Sequence, residues 1–208
     1  MAKSSTKILL VLLLLVLGMP QVALSASDGW GPPDLLQIPM AFLTNLAIHE
    51  SGHFIVAESL GAQDNTLCFF CSKEGSPFLG LSTVRSIDER SRVPYILGGE
   101  IATSLSFDVT LHRYRVSPTP YNRALLFFNG TEFLWYSVYA FYFEGAKDSR
   151  LDPVALSHET GLNPEVILVI AVTQTALNAY RVYSGQDWLI PYFTFDERSA
   201  SFWIGVRF

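Results

Sequence analysis

Along the 208-residue chain, long apolar runs alternate with short polar segments rich in Gly, Pro and Ser. The first run, Ile8 to Leu17, follows Lys3 and Lys7 and is broken by Gly18-Met19-Pro20. A linker, Ser27-Asp28-Gly29-Trp30-Gly31-Pro32-Pro33, leads to a second run that predicts a helix over 36–60, stopped by Gly61. Residues 64–92 contain a β-like run at 78–84. Pro94 fits the first turn of a helix from Tyr95 to Ser106, and the weak alternation over 109–116 predicts a strand or extended loop. A long aromatic-rich helix is expected over 121–143. A short one follows, with Asp152 as N-cap, Pro153 at the first helical position and Gly161 as stop. Asn163-Pro164 caps a last helix, 164–183. In the tail, Phe202, Ile204, Val206 and Phe208 share one face of a short strand.

This pattern predicts a mainly α fold, a helical bundle around the helix that carries residues 49–53, with short β segments at 78–84 and at the C-terminus. Residues 1–25 read as a signal peptide: a basic start, an apolar core of about ten residues that is short for a span, and small residues at Ala23 and Ser25. Residues 26–35 read as linker and 36–208 as a single domain. The mature chain is then expected to be exported, to a membrane, the periplasm or the cell envelope.

Composition sharpens that picture. Half the residues are hydrophobic, 16% are charged and mean hydropathy is +0.28, drier than an ordinary soluble domain. The runs 36–60, 121–143 and 164–183 are each long enough to cross a bilayer. Each also carries polar residues inward of its ends: His49, Glu50 and His53; Asn129 and Glu132; Gln174 and Asn178. Polar groups at that depth belong in a bundle interior. A membrane-embedded or membrane-associated bundle is therefore expected. The net charge of −5 argues against a nucleic-acid partner.

The chemistry is concentrated in His49-Glu50-Ser51-Gly52-His53, an HExxH signature inside an apolar run. On a helix the two histidines stand one turn apart on one face and can ligate one Zn²⁺, while Glu50 reaches a metal-activated water as general base. A catalytic zinc takes a third protein ligand, and the acids Glu58, Glu100, Asp108, Glu132, Glu144, Asp148 and Asp152 are all candidates. Glu58 is about 140° around the helix from His53 and badly placed. Asp152 has a structural explanation as a cap. Cys68 and Cys71 are expected to form a local disulfide in an oxidising compartment. They could instead be a redox pair, or join the two histidines in a Cys₂His₂ structural zinc site. A donor to the reaction's oxyanion is expected, with His112, His158 and several tyrosines open.

Residues 49–57, His-Glu-Ser-Gly-His-Phe-Ile-Val-Ala, resemble the HEAGH-hhVA motif of the membrane-anchored ATP-dependent zinc proteases. Leu97-Gly98-Gly99-Glu100-Ile101-Ala102 resembles that family's LGGRxAE helix, and Gly145-Ala146-Lys147-Asp148 its GASND segment, whose aspartate is the third zinc ligand. The HExGH helix is equally similar to that of site-2-type membrane metalloproteases, although their Leu-Asp-Gly motif is lacking. The resemblance covers about a quarter of the chain and implies a zinc metalloprotease acting on a peptide or protein substrate. It makes Asp148 the first choice for third ligand, ahead of Asp152, then Glu132 or Glu100. The competing expectation is a membrane structural or interaction protein with a degenerate or structural zinc site.

Overall fold

A computed structural model describes residues 32–73, 75–195 and 199–207. The expected signal peptide, its cleavage site and most of the linker lie outside these residues, as does Phe208. Helix α1, Pro32–Ser59, starts four residues ahead of the expected 36, inside the segment read as linker. Proline suits a first turn, where its missing N–H has no partner to lose. A hairpin follows, with β1, Thr66–Lys73, antiparallel to β2, Ser76–Thr83, in a register from Thr66↔Thr83 to Lys73↔Ser76. Cys68 and Cys71 form the expected disulfide. Residues three apart on a regular strand point to opposite faces. Phe70, at φ +53°, breaks that alternation between them.

The next region departs from expectation. A 3₁₀ turn, Glu89–Ser91, leads into a five-residue α2, Arg92–Ile96, and after Leu97 a single helix α3 runs Gly98–Val116. The expected strand or loop at 109–116 is therefore helical. Its buried or half-buried positions, Phe107, Thr110, Leu111 and Tyr114, are spaced as one helix face, which outweighs the weak alternation. Helix α4, Pro120–Val138, continues into a π turn, Tyr139–Phe143, so the expected long helix is present, with Thr119 as its cap. Helix α5, Asp152–Thr160, has Leu151 rather than Asp152 at the N-cap position. Helix α6, Pro164–Ser184, is capped by Asn163, which accepts from Val166 N at 3.1 Å. Strand β4, Ala200–Val206, is the expected C-terminal strand. Its antiparallel partner β3, Leu189–Phe195, carries Pro191, a residue that masks a strand in the sequence yet is tolerated on an edge.

Helix α1 packs on α3 and α4, and α4 packs in turn on α3 and α6. The main core, which includes Leu97, Phe133, Leu134, Val138, Leu156, Ile167 and Ala171, lies where α4, α5 and α6 meet the start of α3. Large apolar residues lie on the bundle's outer faces: Leu36, Met40 and Ile55 on α1, Leu105 and Val109 on α3, and Val169 and Tyr183 on α6 are exposed. Among the described residues one helix, Pro164–Ser184, is long and apolar enough to cross a membrane.

The α1–α3 contact depends on glycine. A Cβ on Gly52 would fall 2.3 Å from Gly98 O and 2.6 Å from Ala102 Cβ, so the motif helix reaches α3 only because position 52 is bare. Gly52→Ala must push the two helices apart. It should lower stability by about 1–3 kcal/mol, the usual cost of overpacking, visible as a lower thermal midpoint by circular dichroism. An unchanged midpoint would show that the crossing is loose.

Candidate metal centre

Each histidine has a partner at its outer nitrogen. His53 Nδ1 donates to the backbone carbonyl of Tyr95, on α2, at 2.8 Å. His49 Nδ1 lies 3.1 Å from Glu132 Oε1, on α4, an ion-pair contact bent away from straight hydrogen-bond geometry. Gly99 at the start of α3 makes room for the His49 ring, since a Cβ there would lie 2.5 Å from ring atoms Cε1 and Nε2. The two Nε2 atoms then face each other at 3.0 Å, with the rings at 73°. Asp152 Oδ2 completes the triangle, 3.1 Å from His49 Nε2 and 3.2 Å from His53 Nε2.

This donor set fits a metal ion, and His49, His53 and Asp152 could hold one. With its proton on Nδ1, each neutral imidazole presents its Nε2 lone pair beside a carboxylate oxygen. A proton can satisfy two of three such atoms, whereas a cation at the centre satisfies all three. Ligands about 2.0–2.1 Å from a tetrahedral metal stand about 3.3–3.4 Å from one another, close to the spacing here. Burial raises the Asp152 pKa, but positive charge on the facing His53 and His49 rings outweighs it and holds the carboxyl well below the usual carboxylate range; with both imidazoles neutral, a bound cation would supply that charge instead.

Asp152, not Asp148, is therefore the third member of the group. Asp148 accepts from the backbone N and the guanidinium of Arg150 at 2.8–3.2 Å, a local clamp that turns it from the histidines. Its carboxyl is held below the ordinary range by those Arg150 bonds. Asp152 is free for the site because Leu151 takes the cap position, and Tyr136 Oη accepts from Asp152 N at 3.3 Å. Glu132 faces the outer nitrogen of His49 and orients that ring. Glu100 is fully buried next to Gly99 and does not join the triangle. The Cys₂His₂ arrangement is ruled out, because the two sulfurs are bonded to each other. His112 and His158 are exposed on α3 and α5.

Glu50 is held from the hairpin side. Its Oε2 accepts from Ser82 N at 2.7 Å, and Gly80 lets β2 pass close, since a Cβ there would lie 2.8 Å from Glu50 Cγ. Between β2 and residues 148–155 opens a cleft of about 480 Å³, lined by Glu50, His53, Ser82, Tyr95, Tyr136 and Asp152 among others. Behind the centre, Asn45 Nδ2 donates to Glu132 Oε2 at 3.2 Å and to Asn129 Oδ1 at 3.0 Å, and Asn129 Nδ2 donates to Ser106 Oγ at 2.9 Å. The sequence flags Asn129 and Glu132 only as polar residues inside an apolar run. Nothing in it signals the Tyr95 carbonyl.

Compared with known proteins, the chain matches no family model, no curated protein and no solved structure. The assignment of the centre rests on its own geometry, and that geometry separates the two aspartates. Asp152→Ala should weaken zinc binding by more than the ~10–100-fold typical of losing an outer partner, measured by chelator competition with zinc as the probe ion. Asp148→Ala should leave it nearly unchanged. The reverse order would return the third position to Asp148.

Proposed function

We propose that this protein is a zinc-dependent peptidase of the HExxH type, acting on peptide or protein substrates while seated in a membrane. The observation that carries the reading is the triangle of ligand atoms from His49, His53 and Asp152, with the Glu50 carboxylate beside it on the cleft wall. Two imidazoles and one carboxylate at near-tetrahedral spacing favour zinc over magnesium or calcium, which take shells of oxygen. Zinc bound there would supply a Lewis acid and bring the pKa of water towards about 7.

The protein's own groups account for the remaining steps. Glu50 takes the proton of the attacking water and returns it to the leaving amine, a general base and then a general acid. Ser82 N–H fixes one oxygen of Glu50, and the other is the one that would take the proton. Glu132 and the Tyr95 carbonyl keep both imidazoles in the Nδ1–H tautomer, with Nε2 turned inward.

The membrane part of the reading is supported by how charge is distributed. From Val166 to Tyr180 no charged residue interrupts α6. From Ala124 to Phe143 the one charge is Glu132, and from Leu35 to Ala57 it is Glu50. Both of these acids turn towards the metal centre, while the outward residues are apolar, the distribution a lipid-facing bundle needs.

Membranes from cells expressing the full chain test both parts together. The protein should stay with the membranes after an alkaline carbonate wash, and release by that wash would remove the membrane reading. Zinc-loaded wild type should cleave internally quenched peptides. Glu50→Gln should retain zinc and lose hydrolysis, because the amide keeps the shape but cannot take the proton. Zinc bound by a wild type that cleaves nothing would instead support a structural metal site.

A further inference from the structure

We propose that Tyr136 is the hydrogen-bond donor to the oxyanion in this reaction, an inference that rests on the peptidase reading. Of the groups that could fill this role, His112 and His158 are exposed on α3 and α5. Two phenols line the cleft, Tyr95 and Tyr136. Tyr95 is already engaged, since its hydroxyl donates to Ser82 O at 3.3 Å and its carbonyl holds His53.

Tyr136 is placed differently. A phenol has one proton to donate and lone pairs that accept. The Tyr136 oxygen accepts from Asp152 N at 3.3 Å, and among the described residues no acceptor takes its proton. That bond fixes the oxygen at the start of α5, against the residue whose Oδ2 completes the metal triangle. The ring stands edge-on to His49, with centroids 5.9 Å apart and planes at 72°, so it is held from a second side. Glu132 and Tyr136 are four residues apart on α4 and share a face. One turn of that helix therefore orients a metal-binding imidazole, and the next presents a hydroxyl to the cleft.

The step balances without any co-reactant. The water oxygen bonds to the peptide carbon, the carbonyl π pair moves onto its oxygen, and the water's proton passes to Glu50. On collapse the C–N bond breaks and Glu50 protonates the leaving nitrogen. Tyr136 donates to the oxyanion throughout and keeps its proton. Its bond strengthens as charge develops, which is the condition for lowering the barrier rather than merely binding substrate.

The test is Tyr136→Phe in the zinc-loaded full chain, on a quenched peptide that wild type cleaves. Loss of one oxyanion donor should lower kcat by about 10²–10³-fold, with KM and zinc stoichiometry close to wild type. A phosphinic analogue of the same peptide, which mimics the tetrahedral state, should lose affinity in the variant while the peptide itself does not. If zinc-saturated Tyr136→Phe keeps its kcat but binds zinc more weakly, the hydroxyl only positions Asp152 and the proposal is wrong. Equal rates in variant and wild type overturn the Tyr136 role alone. A wild type that cleaves no peptide overturns the peptidase reading and this inference with it.

Discussion

Two imidazole nitrogens and a carboxylate oxygen meet within about 3 Å of one another, and the surrounding structure serves that convergence. Such an arrangement is unfavourable unless a cation sits among them and each ligand is fixed from behind. The α2 carbonyl at Tyr95 fixes one ring, and Glu132 on α4 fixes the other. The glycines at the start of α3 follow from the same demand. Gly98 admits the motif helix and Gly99 admits the His49 ring, so α1 and α3 pack at backbone distance where the ligands lie.

The polar residues inside the apolar helices belong to this arrangement as well. Asn45, Asn129 and Ser106 extend the Glu132 contact across α1, α4 and α3, so the carboxylate that orients His49 is itself held. Buried polar chains are stabilising only when their members are satisfied, and this one links three helices through directional bonds as well as packing. The opposite surfaces of α1 and α4 carry apolar side chains, among them Met40, Ile55 and Trp135. The membrane reading rests on this pairing of buried polar residues with apolar side chains on the outer surface of α1 and α4.

Much of the fold was legible in the sequence because its helices carry strong local signals. Asn163-Pro164 starts α6, Gly161 ends α5, and the HExxH run sits on α1 as the two-histidine spacing requires. The disulfide followed from there being two cysteines. Elsewhere tertiary contacts outweighed local pattern. Residues 109–116 alternate weakly yet bury Thr110 and Leu111 against neighbouring helices, and β3 is hidden by Pro191. That Asp152 rather than Asp148 joins the two histidines was hidden for a similar reason. Asp152 before Pro153 looks like a cap, and only the folded chain shows Leu151 in that role and Asp148 clamped by Arg150. A carboxylate's local explanation and its long-range partner cannot be separated along one dimension.

The central claim is that His49, His53 and Asp152 bind one zinc ion through two imidazoles and a carboxylate. X-ray absorption at the zinc edge, on the purified full chain, tests it most directly. The account predicts one tightly held zinc with nitrogen and oxygen neighbours at about 2.0–2.1 Å, and the outer-shell scattering of two imidazole rings. A sulfur shell at about 2.3 Å, or protein that holds no zinc at all, would contradict it.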